Sequence, residues 1–256
     1  MAELEGRIAI ITGASAGIGE ATARTLSASG ARVVLNARRK EKLDELVKEF
    51  GGPTKAVSVP GDAADRELIE RMFAEAGSRF GAAPDLVVVN AGRGLGGSVV
   101  TSDDSKWEEM VRLNLVGAAR LIRAAAVRMT EGFDPKSWQN TSRDIVVLGS
   151  TVGRHISPFS SMYGASKFGV NSLAEAARRE LGPKGVRVTL VEPGIVVSEF
   201  QAGAGYDEAW FAQMAEKYGP LLQPADIAET IRYIVSQPAR IHINDVVIRA
   251  TRQEYP

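Results

Sequence analysis

The chain has 256 residues, and its 31 basic and 31 acidic side chains give a formal net charge of zero at neutral pH. A neutral chain lacks the basic face that a nucleic acid or an anionic membrane would need, so neither partner is predicted. Cysteine is absent, which excludes disulfides and thiolate sites, and the two histidines, His155 and His242, are too far apart in sequence to predict a metal site.

In the first half of the chain, apolar runs of strand length alternate with amphipathic stretches of helix length. The predicted strands are 7–12, 32–37, 55–62 and 84–92, and the predicted helices are 17–30, 40–50, 65–80 and about 105–129. The first apolar run, 8–11, follows two glutamates and leads into a glycine turn, which is not a signal-peptide pattern. No apolar run approaches the ~20 residues of a membrane span, so a cytoplasmic protein is expected.

The second half of the chain continues the alternation. Strands are predicted at 144–150, 185–194 and 244–250, and a helix at about 160–181. Uninterrupted Val, Ile and Leu runs predict strands buried on both faces, and the helices between them predict parallel crossovers. The expected fold is a single α/β domain over residues 1–256, doubly wound and Rossmann-like. Its sheet is predicted to have seven strands, mostly parallel, with helices on both faces.

Two stretches depart from this pattern. Residues 130–144 form a polar loop that is unusually long for a helix-to-strand connection, and it should lie at the opposite end of the sheet from an active site. Residues 199–223 combine glycines with aromatic side chains and are predicted to form a substrate lid.

The stretch "TGASAGIG", residues 12–19, connects the first predicted strand to the first predicted helix. Gly13 can form a tight turn, Gly17 can let the backbone approach a ligand, and Gly19 can let helix and strand pack closely. The helix N-terminus then offers N–H groups and a positive dipole end to a phosphate. Three glycines alone often form only a tight turn, but ligands bind at this end of the strands in doubly wound sheets.

The end of the second predicted strand bears on which dinucleotide binds. An acidic residue there would accept the ribose hydroxyls of NAD, but Ala37 occupies that place and Arg38 and Arg39 follow. A guanidinium can pair with the 2′-phosphate of NADP. We therefore predict NADP, with Arg38 as the main contact and Arg39 as the second. The alternative is a solvated basic start of the next helix.

Tyr163 and Lys167 lie one turn apart in "SSMYGASKFG", residues 160–169, which is predicted to be helical. A phenol has an ordinary pKa of about 10, and a nearby ammonium favours its ionised form. Tyr163 is therefore predicted to move a proton while a hydride moves to or from the cofactor. The pair by itself equally fits an interfacial tyrosine beside a surface lysine.

Two further polar residues favour the catalytic interpretation of Tyr163 and Lys167. Ser150 ends the fifth predicted strand, at the sheet edge where ligands bind, and its hydroxyl can bond the same substrate oxygen as the phenol. Asn114 is polar in an apolar helical stretch and needs partners. It is predicted to anchor a proton-relay water beside Lys167, and the alternative is a satisfied core amide.

Together these residues resemble the short-chain dehydrogenase/reductase family. The motifs run in order over nearly the whole chain: "TGASAGIG", Gly61-Asp62, "NAG" at 90–92, Asn114, Ser150, Tyr163, Lys167 and Pro193-Gly194. The resemblance implies a catalytic tetrad of Asn114, Ser150, Tyr163 and Lys167, and a homotetramer formed through the helices that carry Asn114 and Tyr163. The C-terminal half is similar to bacterial NADP-dependent dehydrogenases of serine and other 3-hydroxy acids.

The resemblance also implies cofactor contacts along the crevice. It places Asp62 at the adenine, Asn90 beside the central strand, Lys167 at the nicotinamide ribose, the Ile195 backbone at the carboxamide, and Ser198 where the family often has Thr. The full predicted cofactor set is Gly13, Ser15, Gly17, Ile18, Gly19, Arg38, Arg39, Asp62, Ala63, Asn90, Ala91, Gly92, Tyr163, Lys167, Pro193, Gly194, Ile195 and Ser198.

The predicted function is reversible hydride transfer between NADP(H) and a small secondary alcohol or its ketone, with a 3-hydroxy acid as one candidate. Arg93, Arg154 and His155 are the candidate partners of a substrate carboxylate. One alternative is a reductase of bulkier apolar ketones or 3-oxoacyl substrates. Another, from a different class, is an NADP-binding regulator without catalysis, which the complete tetrad argues against.

Overall fold

A computed structural model describes residues 3–255 and shows one parallel sheet of seven strands. The strands are Ile8–Thr12 (β1), Arg32–Asn36 (β2), Ala56–Ser58 (β3), Leu86–Val89 (β4), Asp144–Leu148 (β5), Arg187–Pro193 (β6) and Asp245–Ile248 (β7). Their order across the sheet is β3-β2-β1-β4-β5-β6-β7, and every neighbouring pair is parallel.

Helices connect the strands on both sides of the sheet. They are Gly17–Ala28 (α1), Lys40–Glu49 (α2), Arg66–Phe80 (α3), Trp107–Val111 (α4), Ala118–Thr130 (α5), Ser161–Leu181 (α6), Phe200–Ala204 (α7), Glu208–Tyr218 (α8) and Pro224–Ser236 (α9). No helix within residues 3–255 is long and apolar enough to cross a membrane.

The central strands are buried on both faces, and most of their residues are Val, Ile, Leu or Ala. One core lies between the sheet and α3, α5 and α6, and includes Met72, Leu121 and Val170. The other lies between the sheet and α1, α2 and α9, and includes Leu26 and Ile231. This arrangement confirms the predicted doubly wound α/β fold.

The strand order reverses between β1 and β4, since the chain builds outward from β1 to β3 and then returns to the other side of β1. The connections that follow β1 and β4 therefore diverge to opposite sides of the sheet at their carboxyl ends. In open α/β sheets this divergence opens a crevice that binds ligands.

The structure differs from the predicted elements in three places. The single helix predicted over 105–129 is a 3-10 turn, α4, a π-helical segment at Arg112–Gly117 and α5. The predicted lid, 199–223, contains two helices, α7 and α8. Helix α9 was not predicted, although Pro224 in its first turn and the reciprocal bonds of Gln223 and Asp226 form a recognisable start signal.

The long polar loop at 130–144 enters the sheet at the amino end of β5. It contains a short 3-10 turn, Trp138–Asn140, and the Trp138 side chain lies 3.1 Å from the position a Cβ would take at Gly185. The loop therefore lies at the amino edge of the sheet, away from the crevice.

Candidate active site

The glycine turn after β1 is tightly wound. Gly13 and Gly17 have positive φ angles of 69° and 55°, a region that favours glycine. A Cβ at Gly19 would lie 2.2 Å from the Gly13 carbonyl oxygen and 2.5 Å from Asn90 Nδ2, so no larger residue fits there. The turn brings the start of α1 directly against the end of β1.

Thr12 and Asn90 connect the ends of β1 and β4. The Thr12 hydroxyl oxygen accepts hydrogen bonds from the backbone N–H groups of Asn90 and Ala91, both at 3.1 Å. In return, Asn90 Nδ2 donates to the Thr12 carbonyl at 2.8 Å. Sequence reasoning did not assign Thr12 a role, although a hydroxyl at the end of an otherwise apolar strand is a usable signal.

The N-terminus of α1 fits an anionic group. Its N-cap, Ala16, has no side chain that can accept from the first turn, so the first N–H groups face the crevice without a capping side chain. Ser198, after β6, lies opposite, with its Cβ 3.4 Å from the position of a Cβ at Gly17. The residues present therefore fit the pyrophosphate of a dinucleotide.

The end of β2 carries two exposed arginines beside this turn. Arg39 donates from Nε to the Ser15 hydroxyl at 3.2 Å and from Nη2 to the Ser15 carbonyl at 3.0 Å. It also pairs with Glu199 at 3.0 Å. Arg38 follows the buried Ala37, so the strand-end position where an acidic residue would oppose a 2′-phosphate holds a small apolar residue.

Asp62 lies next to these arginines. Desolvation acts to raise the pKa of its carboxyl, but hydrogen bonds from the Ala64 N–H and from Arg112, with the charges of Arg112 and Arg38, lower the pKa overall. Asp62 is therefore ionised at neutral pH, and the Arg112 guanidinium binds it directly. This pairing was not predicted.

Ser150 and Tyr163 meet at the carboxyl edge of the sheet. Ser150 follows β5, and its hydroxyl lies close enough to that of Tyr163 to act against the rise in the pKa of the phenol. Tyr163 is buried near the start of α6, in an apolar cluster with Leu95, Met110 and Val152. The Phe200 ring of α7 lies 5.5 Å from the Tyr163 ring, measured between centroids.

Burial has the largest influence on the pKa of the Tyr163 hydroxyl, and it acts against the lowering predicted from Lys167. Burial, with a contribution from Tyr206, raises the pKa of the Tyr163 hydroxyl, and the nearby Ser150 hydroxyl offsets this only in part. Lys167 Nζ lies 5.9 Å from the Tyr163 ring centroid and donates to the Leu148 carbonyl at 2.7 Å. Burial lowers the pKa of Lys167 to about 8. Desolvation thus outweighs the expected attraction, and Tyr163 is a neutral phenol at pH 7.

Asn114 lies buried in the π-helical segment, and both hydrogens of its side-chain amide are used in hydrogen bonds. Its Oδ1 accepts from the Arg93 N–H at 2.9 Å, while Nδ2 donates to the Arg93 carbonyl at 2.9 Å and to the Ser166 hydroxyl at 3.1 Å. Ser166 in turn donates to the Tyr163 carbonyl at 2.7 Å. The Asn114 side chain therefore joins the loop after β4 to α6 and has no hydrogen left for a water beside Lys167.

The family model for short chain dehydrogenases matches residues 7–209. The chain belongs to the short-chain dehydrogenase family.

Relatives of this short-chain dehydrogenase extend over its whole length. An uncharacterized oxidoreductase of Staphylococcus saprophyticus is 31% identical over 251 residues, covering 97% of this chain and 99% of the relative. The solved closed form of serine dehydrogenase with NADP+ is 30% identical, with a TM-score of 0.86 and coverage of 97% and 96%. A 3-ketoacyl-(acyl-carrier-protein) reductase from Brucella melitensis, solved with NADH, is 26% identical, with a TM-score of 0.85 and coverage of 97% and 99%.

These comparisons confirm the predicted family, the predicted fold class, and an oxidoreductase that acts on CH–OH groups. The remaining predicted cofactor residues lie at or after the carboxyl ends of strands: Ile18 on α1, Ala63 and Gly92 in the loops after β3 and β4, and Pro193 and Gly194 at the end of β6.

The connection after β6 is hydrogen-bonded to Gln253, a residue near the C-terminus that was not predicted to lie at the site. The backbone N–H of Ile195 donates to Gln253 Oε1 at 3.0 Å, so the group that the family resemblance assigns to the carboxamide has a partner within the chain. Gln253 is buried, although it lies within the last residues of the chain. A polar residue so close to a terminus carries no pattern that predicts burial.

The arginines near Tyr163 are paired with carboxylates. Arg93 binds Glu109, and Arg154 binds both the buried Glu192 and Asp245. His155 is exposed at the surface. A substrate carboxylate, predicted to bind one of these three residues, would compete with these acidic partners at Arg93 and Arg154.

Proposed function

We propose that this chain transfers a hydride between NADP(H) and a secondary alcohol or its ketone, with Tyr163 moving the proton. The observation that carries the proposal is the closeness of the Ser150 and Tyr163 hydroxyls, with Tyr163 buried in an apolar cluster at the carboxyl edge of the sheet. Two hydroxyls directed at one place can hold one substrate oxygen.

The raised pKa of Tyr163 favours its role as an acid. A neutral phenol can donate its proton to a carbonyl oxygen as that oxygen gains charge, and Ser150 stabilises the same oxygen with a second bond. The bound cofactor supplies the hydride. The Lys167 ammonium, charged below pH about 8, holds the end of β5 through the Leu148 carbonyl and favours the phenolate that remains after proton donation.

We propose NADP rather than NAD because the end of β2 offers two arginines and no carboxylate. The Arg39 guanidinium already contacts the glycine turn through Ser15, which places positive charge at the ribose side of the phosphate site. Similarity to the serine dehydrogenase solved with NADP+ supports this choice, whereas the similar 3-ketoacyl reductase was solved with NADH.

We propose that residues 199–223 form the substrate lid. Helix α7 packs directly on the loop after β4, because Gly94 leaves room: a Cβ there would lie 2.6 Å from both the Ala204 Cβ and the Phe200 ring. The Gly96 N–H also donates to the Ala204 carbonyl at 2.9 Å. Phe200 thereby reaches the Tyr163 ring and excludes water from the reacting hydroxyls.

The substrate that this geometry favours is a neutral ketone with an apolar substituent. Leu95, Val152 and Phe200 offer apolar walls beside Tyr163, and Arg93 and Arg154 are paired with their own carboxylates. A second candidate is a 3-hydroxy acid, favoured by the 30% identity with serine dehydrogenase.

A spectrophotometric screen tests the proposal. Purified protein is given NADPH or NADH with a panel of aliphatic and aromatic ketones, and NADP+ or NAD+ with 3-hydroxy acids and secondary alcohols. We expect turnover with NADPH and apolar ketones, and loss of about 10³-fold or more in kcat for Tyr163→Phe with NADPH affinity retained. NADPH binding without turnover on the whole panel would instead identify a non-catalytic regulator.

We also propose a cytoplasmic homotetramer formed through the helices that carry Asn114 and Tyr163. Val127 of α5 and Phe168 of α6 support this interface because they are 59% and 43% exposed on the outer faces of those helices. Light scattering on the purified protein measures the number of subunits directly.

A further inference from the structure

The last described residues of the chain, 252–255, contact three separate parts of the active-site region. We call this segment the C-terminal strap. Its contacts reach the connection after β6, the end of α8, and the loop between Ser150 and α6. The strap joins these three parts to one another.

The first contact is buried. Gln253 is 6% exposed, and its Oε1 accepts the Ile195 N–H at 3.0 Å. Its side chain also lies flat on Gly194, since a Cβ at that glycine would be only 2.4 Å from Gln253 Oε1. A buried N–H that loses its acceptor is costly, so this bond fixes the strap to the end of β6.

The second contact is with the C-terminal end of α8, in the proposed lid. Arg252 Nη1 donates to the Gly219 carbonyl at 3.1 Å, and Glu254 pairs with Lys217. Tyr218 packs with Ala250, just before the strap. The ion pair is exposed and contributes little by itself, so the packing and the bond to Gly219 are the effective attachments.

The third contact is with the loop that follows Ser150. The Tyr255 hydroxyl donates to the Ile156 carbonyl at 2.6 Å. The Ile156 side chain is 83% exposed, so packing of its own side chain does not hold this part of the loop. The strap therefore supplies a fixed point for a loop that lies between Ser150 and Tyr163 in the chain.

We propose that the C-terminal strap positions the lid and the loop after Ser150 against the end of β6, and that Gln253 is its principal positioning residue. This proposal rests on the proposed function for its effect on turnover, but the contacts themselves do not depend on it. Loss of the Gln253 bond releases the strap at its buried point. Both the end of α8 and the loop then move independently of the strand end.

The test uses amide hydrogen exchange and steady-state kinetics on the full chain. Gln253→Met keeps the size of the side chain but removes the acceptor, whereas Gln253→Glu keeps an acceptor for the Ile195 N–H. Gln237→Met is the matched control, because Gln237 bonds only within the end of α9 by its side chain, at 2.9 Å to the Tyr233 carbonyl.

We expect Gln253→Met to raise exchange about fivefold or more in residues 154–160 and 208–219, with sheet amides unchanged. Its kcat for the ketone found in the screen should fall about tenfold, while Gln253→Glu stays within about threefold of the wild type and Gln237→Met is unaltered. Wild-type exchange in both segments of the Met variant would overturn the proposal, as would an equal loss in the Glu variant.

A second variant and the exchange measurements distinguish failure of the strap proposal from failure to fold and from failure of the proposed function. If Gln253→Met does not fold, Tyr255→Phe removes only the bond to Ile156 and should raise exchange in residues 154–160 alone; unchanged exchange there then refutes the strap. If the wild-type protein turns over no substrate, the proposed function fails, and the exchange measurements still decide whether the strap restrains the two segments.

Discussion

The two edges of the sheet use charge in opposite ways. At the amino edge, the buried Asp144 binds Arg187 through two bonds of 2.7 and 2.8 Å and Arg7 through one of 2.8 Å. Arg187 also donates to the carbonyls of Gln237 and Ile241. Charges taken out of water here are matched by opposite charges and by hydrogen bonds.

At the carboxyl edge the arginines are paired with carboxylates, but the polar groups around Tyr163 and the start of α1 lack such partners. Lys167 is as buried as Asp144, yet within residues 3–255 its ammonium has the Leu148 carbonyl as its bonding partner and no carboxylate. The first turn of α1 has no capping side chain, and the phenol of Tyr163 is desolvated. A fold can tolerate these costs at one edge because the opposite edge is fully paired, and groups left without partners are the ones that can bind a ligand.

We expect the largest loss of stability from a substitution at the amino edge. Asp144→Ala leaves Arg7 and Arg187 buried without their shared carboxylate, which costs about 3–5 kcal/mol of the free energy of unfolding. Urea denaturation measures the loss, and NADPH affinity of the folded fraction should not change. Asp104→Ala, an exposed carboxylate, is the control and should change stability by less than about 0.5 kcal/mol. Equal effects of the two substitutions would contradict the comparison.

Lys167 should make the stability of the folded protein depend on pH above about pH 8. Its pKa is about 8 in the folded protein, against an ordinary value of 10.5. Below pH 8 the ammonium is charged in both states and its burial cost is fully present; between pH 8 and 10.5 the folded chain loses the proton first, and the cost is relieved. At about 1.36 kcal/mol per pH unit, stability relative to Lys167→Met should rise by up to about 3 kcal/mol across this window.

Urea unfolding of both proteins at pH 7 and pH 10 measures this rise. Taking the difference between wild type and Lys167→Met removes the contributions of other groups that titrate in the same range. A difference that stays constant with pH would show that the lysine is solvated in the folded protein and that the edge is not as dry as its burial indicates.

Arg38 tests the electrostatics of cofactor choice at the same edge. Arg38→Asp replaces a positive charge by a negative one where the 2′-phosphate is proposed to lie, so NADPH affinity should fall by about 10- to 100-fold and preference should move toward NADH. Arg79→Asp makes the same charge change at the far end of α3, where Arg79 pairs with Glu75, and should have little effect. Fluorescence titration with both cofactors measures the change, and unaltered selectivity in Arg38→Asp would remove the assignment.

The sequence predicted what depends on local pattern. Apolar runs located the strands, and the tetrad motifs located Ser150 and Tyr163, which the structure brings into contact. The features that it did not predict depend on contacts between residues far apart in sequence, or on how deeply a side chain is buried. The pKa of Tyr163 follows from desolvation by side chains that are remote in sequence, such as Phe200, and the pairing of Arg154 with Glu192 joins residues 38 positions apart. Gln253 and the C-terminal strap belong to this second group.

The role of Thr12 is predictable from the sequence only in part. Its substitution should have the smallest effect on stability and cofactor affinity of the changes considered. Its hydroxyl is in the "TGASAGIG" motif, but its function appears only when the two backbone N–H groups after β4 are seen to bond it. Thr12→Val keeps the shape and leaves both N–H groups without that acceptor, which should cost about 1–2 kcal/mol of stability and weaken NADPH binding a few fold. Thr12→Ser retains the hydroxyl and should recover most of the affinity. If the Thr12→Val variant binds NADPH as tightly as the Thr12→Ser variant, the hydroxyl that links β1 to β4 does not contribute to cofactor binding. The carboxyl edge would then depend less on its hydroxyl groups than the comparison with the amino edge implies.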